Sequence, residues 1–312
     1  MSVIEEPSYG HAKCQNINCK NQSYWKVIIN EVPTFLCGVH SRKYTSSRIQ
    51  LKKDSKGKKE LIDKKLKRDY ELIEKAKKEN KEKGVKGNVI CSKFFMMRSP
   101  LDIEGYIKVF PNFKHGGRTD GIGLPFLSPK SIGPIKHEQP NLPPAKNLEN
   151  FHQGNKVFNS EVDERGEPKE IFFKTQVEIY NNEIPLRHKA SAFDDKGKRT
   201  NIPRFSLWVD KQGVKHKISY FVSRQFYCTY YERALLEPES KENKDYEYLK
   251  QLIDDGYNLQ IIGYDGYEVG EKTLEDCYKD CSRPFGHELV LYSMLTHKNE
   301  DWPWKKYKSF DF

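Results

Sequence analysis

The sequence predicts an α+β fold on three observations. Short β-type runs, "YIKVFPNF" and "LQIIGYDGY", stand apart along the chain and recur at no fixed period. Around them lie stretches of helical length, "FVSRQFYCTYYERALL" and "KDYEYLKQLIDDG", the second closing on Gly256, a residue type that favours helix C-caps. A lysine-rich stretch of helical periodicity separates a small cysteine-bearing module from everything that follows. The expected domains are a module over residues 1–50, a helix or linker over 51–88 and an α+β domain over 89–312.

In the first module, Cys14, Cys19, Cys37 and His40 form the pattern C-x4-C-x17-C-x2-H. Two close pairs of soft ligands separated by a hairpin-sized insert can close a tetrahedral zinc site, and Gly38 between the last two relaxes the turn that lets both face one ion. All four positions would be protein ligands, which makes the expected zinc structural. The metal would supply folding energy to a module with little core of its own. His11 is a competing ligand, and three unrelated thiols with a surface histidine is the plainer alternative.

From Lys52 to Lys86, Leu61, Ile62, Leu66, Tyr70, Ile73 and Ala76 recur at helical spacing on a charged background, predicting one long, mostly exposed helix with a thin apolar stripe. Over the whole chain 54 Lys and Arg outnumber 44 Asp and Glu, a net charge of +10. That balance favours a polyanionic partner, DNA or RNA or a phosphate-bearing small molecule, although a lysine run is also what a solvated helix looks like. The 17 Phe and 18 Tyr exclude a chain disordered throughout. Seven cysteines, an odd number, argue against a secreted disulfide framework. No signal-like start or apolar run of membrane-spanning length appears, so a soluble intracellular protein, cytoplasmic or nuclear and without a membrane partner, is expected.

In the third region, "GLPFLSPKSIGPIKHEQPNLPPA" concentrates Pro, Gly and Ser in a long loop that leads to "NLENFHQGNKVF". There Glu149, Phe151, Gln153 and Lys156 sit at the expected start of a helix that carries a polar edge into a cleft. His152 and His188 are further acid–base candidates, although isolated histidines often make structural hydrogen bonds. "KHGGRTDGIG" offers Arg118 among glycines, a loose phosphate-cradle composition without a P-loop signature. Arg224 is a second cationic candidate for phosphate, and Tyr227 and Phe126 are candidates to stack on a base. Cys277 and Cys281 lack a second nearby pair and read as ordinary thiols.

Taken in order, "PFLSPKSIGPI", "NLENFHQGNKVF", "YLKQLIDDGYNLQIIGYDGYEVGEK" and "FGHELVLYSML" resemble the NADAR family, whose name reflects NAD and ADP-ribose metabolism. The family's helix start E-x-[YF]-x-Q-x-x-K matches Glu149, Phe151, Gln153 and Lys156 position for position, and the resemblance spans about residues 105–297. It departs where the family has Trp-Gly after a late acid and a Glu-His pair; here stand "YDGYEVG" and Glu149-Asn150. The resemblance implies cleavage of an N-glycosidic bond between ribose and a base. The substrate would be a phosphorylated ribosylamino-pyrimidine, or ADP-ribose attached to guanine. Breaking such a bond builds positive charge on the sugar, which a carboxylate beside the anomeric carbon stabilises. Glu149 would be that carboxylate, and Asp265 would orient water or ribose hydroxyls. Lys156, Gln153, Arg118, Arg224 and Tyr227 would bind substrate. The competing reading is a non-enzymatic, zinc-containing nucleic-acid-binding protein that keeps an enzyme fold.

Overall fold

The computed structural model describes residues 25–29, 32–36, 42, 49–50, 55–94, 101–191, 202–264 and 272–310. The fold is α+β, with a parallel and two antiparallel sheets alongside helices. Two compact units divide the chain, residues 1–69 and 70–312.

In the first unit, β1 (Trp25–Ile29) pairs antiparallel with β2 (Val32–Leu36), Trp25 opposite Leu36, and β3 (Ile49–Gln50) lies on the other edge of β1. Val27 and Leu36 are buried. This hairpin occupies the interval between Cys19 and Cys37. The expected zinc ligands Cys14, Cys19, Cys37 and His40, and His11 with them, lie outside the described residues.

Helix α1 (Ser55–Glu82) begins in the first unit and ends in the second. Its apolar stripe differs from the expected one: Ile62 and Tyr70 are exposed, whereas Leu72, Ile73, Ala76 and Asn80 are partly covered. Within the second unit, polar bonds and one glycine explain the covered face. Lys77 donates to the Tyr257 hydroxyl, which donates to Glu74, and Asn80 donates to the Gly256 carbonyl and to Asn258. A Cβ on Gly105 would stand 3.0 Å from Ala76 Cβ, so a side chain there would press on the helix.

The core of the second unit is a four-stranded parallel sheet in the order β4 (Val89–Phe94), β10 (Asn258–Tyr264), β5 (Tyr106–Phe110), β6 (Ile122–Gly123). Central β10 buries Leu259, Gln260, Ile261 and Ile262 completely, as expected of a parallel strand covered on both faces. Strand β5 stops before Pro111, which has no N–H to give the ladder.

Helix α2 (Leu148–Gly154), β7 (Lys156–Val157) and α3 (Glu170–Asn181) follow the long loop. Strand β8 (Phe205–Val209) joins β7 to β9 (Lys215–Ile218) in a small antiparallel sheet. Helix α4 (Tyr220–Leu236) runs through the core and buries Gln225, Phe226, Cys228, Tyr231, Glu232 and Leu235 on several faces. Its polar residues latch the chain's end: Gln225 donates to the Phe310 carbonyl, and Trp304 donates its indole N–H to Glu232 at 2.7 Å. Helix α5 (Lys241–Asp254) is N-capped by Ser240 and followed by Gly256 at φ +91°, the left-handed position expected of it. The short α6 (Leu274–Lys279), then α7 (His287–Thr296) and α8 (Pro303–Lys306), complete the layer.

Candidate active site

The loop before α2 fixes Glu149 before any chemistry is considered. A helix leaves its first N–H groups without intrahelical partners. Here the Ile132 carbonyl takes the N–H of Leu148, the Pro129 carbonyl takes that of Glu149, and Asn147 Oδ1 takes that of Asn150 at 2.8 Å. The start of α2 is thereby closed by protein groups. The loop is itself anchored by wholly buried Leu127 and Ile132, and by the Tyr231 hydroxyl, which donates to the Leu127 carbonyl at 2.8 Å.

Five of the candidate residues, Glu149, His152, Gln153, Lys156 and Tyr227, are grouped around this turn. Gln153 Nε2 donates to Glu149 Oε1 at 2.9 Å, one helical turn apart, and orients the carboxylate. Lys156 follows on β7. Burial lowers its ammonium to about 8 against the opposing pull of Glu149, and the positive charge of Arg187 lowers it further. The Tyr227 ring meets His152 edge-on, with centroids 5.4 Å apart. Burial holds the Tyr227 phenol well above its ordinary range, and the charges of Glu149 and then Glu288 add to the effect. Burial, then the nearby Lys156 cation, keeps His152 well below its ordinary value, so its ring is neutral at pH 7.

Glu288 is the residue that sequence reasoning missed. It lies in the first turn of α7, only 3% exposed, and acts electrostatically on the same phenol as Glu149. Two glycines make room for it: a Cβ on Gly263 would fall 2.3 Å from Glu288 Cγ, and one on Gly286 would fall 2.4 Å from its Oε2. Next to it, His287 Nε2 donates to the Pro111 carbonyl at 2.7 Å, while Nδ1 lies 3.3 Å from Glu288 Oε2. Burial drives the His287 ring down to about 4, a shift the Pro111 bond resists and the Lys130 charge assists. Pro111, Gly263 and Glu288 gather where β5 and β10 end, at the carboxyl edge of the parallel sheet, the edge where open parallel sheets place their ligand sites. The available signal was a single acid in the otherwise apolar run "ELVLYSML", two residues after a glycine.

Two expected phosphate contacts find other partners. Arg224 is 3% exposed, and its two terminal nitrogens donate to the carbonyls of Cys277, Tyr278, Asp280 and Arg283. It ties down the end of α6 and the turn after it, which corrects the expectation of a substrate role. Arg118 stacks on Phe110 at 3.9 Å and grips Asp120 with both edges of its fork, at 2.7 and 2.5 Å. That pairing holds the Asp120 carboxyl below its ordinary range and occupies the geometry a phosphate would need. Phe126 is exposed beneath Lys241, and Asp265 lies outside the described residues. His188 is buried and hydrogen-bonded to Gln153 and Glu161, the structural alternative foreseen for it.

No group of three or more His, Cys, Asp or Glu positioned to hold a metal occurs among the described residues, and no helix among them is long and apolar enough to cross a membrane. Neither a family model, nor a curated protein, nor a solved structure matches the chain.

Proposed function

We propose that the unit of residues 70–312 is an N-glycosidase of the NADAR type that hydrolyses a ribose-to-base bond, with Glu149 as its working carboxylate. The observation that carries this reading is the local set around Glu149: a carboxylate oriented by Gln153, beside a cation with a lowered pKa and a neutral imidazole. In the reaction, the bond from the anomeric carbon to the base nitrogen breaks, its electron pair leaving with the base. Water then bonds to that carbon. Glu149 stabilises the positive charge that develops on the sugar and accepts the water's proton, which then passes to the nitrogen of the departed base. Tyr227, with a phenol that stays protonated across the physiological range, offers its ring face to the base and its hydroxyl as a donor.

The N-terminal unit is a structural zinc module that, with the basic helix, holds the enzyme on nucleic acid. Support comes from the ligand spacing and from the β1–β2 hairpin in the interval between the two ligand pairs. Zinc content of the purified full-length protein, near one ion per chain and lost in Cys37→Ser, tests the module. Binding to DNA or RNA that weakens steeply with added salt tests the tether.

The catalytic reading is tested by incubating the wild type with ADP-ribosylated guanosine in DNA and with a ribosylamino-pyrimidine phosphate, following released base or sugar by mass spectrometry. Product from either substrate supports the reading. A folded, zinc-loaded protein that releases nothing from both leaves the nucleic-acid-binding reading in its place.

A further inference from the structure

The first two residues of α7, His287 and Glu288, lie side by side with their side chains 12% and 4% exposed, and one hydrogen bond fixes where their proton is. His287 Nε2 stands 2.7 Å from the Pro111 carbonyl, which only accepts, so Nε2 carries the ring's proton. Burial holds the ring near 4, and it is neutral at pH 7. Its Nδ1 is left with a bare lone pair, 3.3 Å from Glu288 Oε2. An ionised carboxylate offers lone pairs only, and two lone pairs at that distance, nearly closed to water, repel. A proton on Glu288 turns the contact into an O–H···N hydrogen bond. Burial acts in the same direction, because a carboxyl taken out of water favours its neutral form. The glycines packed on Glu288, Gly263 and Gly286, bring no charge to offset that cost.

Helix α4 joins this pair to Glu149. Tyr231 packs its ring against His287, centroids 6.1 Å apart, and its hydroxyl holds the Leu127 carbonyl. Two residues further along that loop, the Pro129 carbonyl holds the Glu149 N–H. One turn earlier on the same face of α4, Tyr227 meets His152 of α2. Glu149 and Glu288 both act on the Tyr227 phenol. That phenol loses its proton only far into the alkaline range, where Glu288 is ionised too, so its response agrees with a neutral carboxyl at pH 7. The other charges on this side are Lys130, which opposes protonation of His287, and Asp245 and Glu242, which act on Tyr231.

We infer that Glu288 is a neutral carboxylic acid at pH 7 and is the acid of the site, giving its proton to the leaving base. The acid role rests on the glycosidase reading; the neutral carboxyl does not. As the bond from the anomeric carbon breaks, its electron pair stays on the base nitrogen and takes the Glu288 proton. Water bonds to the carbon and gives its proton to Glu149. That proton then restores Glu288, so each turnover still moves one proton from water to base.

Infrared spectra of the full-length wild type and Glu288→Gln at pH 7 read the carboxyl directly. A protonated-carboxyl C=O band present in wild type and missing in the variant is expected. The amide donates to Nδ1 as the acid does, so the variant keeps the wild-type melting temperature. Nitrogen-15 resonances of the wild-type His287 ring, protonated on Nε2 alone, give the same answer without a variant. A carboxylate band for Glu288, or a doubly protonated ring, overturns the inference. Catalysis is read on the glycoside that wild type cleaves and on its pyridinium counterpart, whose base departs as neutral pyridine and needs no proton. The Glu288→Gln loss is about 10²-fold or more on the first and about tenfold smaller on the second, whereas Glu149→Gln loses both alike. Equal losses on the two in Glu288→Gln overturn the acid role and leave the glycosidase. A wild type that shows the neutral carboxyl but cleaves no glycoside removes the glycosidase and the acid role with it.

Discussion

Two polar clusters lie inside the second unit, one around Glu149 and one around Arg224, and they are built to different ends. Arg224 spends its terminal donors on four backbone carbonyls that cannot change charge. Around Glu149 the neighbours are a lysine lowered to about 8, a neutral histidine and a phenol, groups whose protons move or are withheld according to one another. A buried charge satisfied by fixed dipoles holds a fold together. Coupled titratable groups are the mark of a reactive site.

The largest stability effect belongs to the first cluster. Arg224→Met leaves the carbonyls of Cys277, Tyr278, Asp280 and Arg283 without their donor and is expected to cost about 3–5 kcal/mol in chemical denaturation. A loss under about 1 kcal/mol would mean that solvent reaches those carbonyls, and the contrast between the clusters would weaken.

Glu161→Leu is next. It strips the buried His188 of its carboxylate partner and the Phe158 N–H of its acceptor, at an expected cost of about 3 kcal/mol. Because His188 also holds the Gln153 carbonyl, this variant loses activity along with stability, joining the two clusters' behaviours in one residue. Unchanged turnover at a temperature where the variant is folded would show that the His188 contacts do not position the site.

The smallest effect is a slope. Lys156 ionises near 8 in the folded chain and near 10.5 when unfolded, so between those values the unfolded chain binds more protons. The sign follows: this group makes stability rise with pH from about 8 to 10.5 and contributes no slope below that window. Lys156→Met is expected to flatten that rise in denaturation curves taken across the window. A wild type and variant with parallel pH profiles would place Lys156 in water.

Much of the frame was legible because it rests on local pattern. The stretch "LQIIGY" reads as a buried strand, Pro111 stops β5, and Gly256 follows the end of α5 at a positive φ. Glu149 and Gln153 were legible as a pair because an i, i+4 contact on one helix needs no tertiary information, whereas Lys156, expected on the same helix, stands beyond its end on β7. What stayed hidden depends on contacts distant in sequence. Arg224 looks like a surface cation until α6 supplies its carbonyls, and helix α4 shows no clean apolar face because its polar residues bond to the chain's last segment. Glu288 could not be separated from an ordinary helix-start acid without Gly263 packed against it from β10.

The most direct measurement pairs Glu149→Gln with Arg224→Met, reading turnover of the two glycoside substrates and the melting temperature of each variant. The account predicts that Glu149→Gln melts like wild type, since Gln153 can keep its partner, while turnover falls by about 10²–10⁴-fold. Arg224→Met should show the opposite pattern, lost stability with near-normal turnover in the fraction still folded. A Glu149→Gln variant that turns over like wild type, or that unfolds as Arg224→Met does, would make Glu149 one more structural acid and contradict the account.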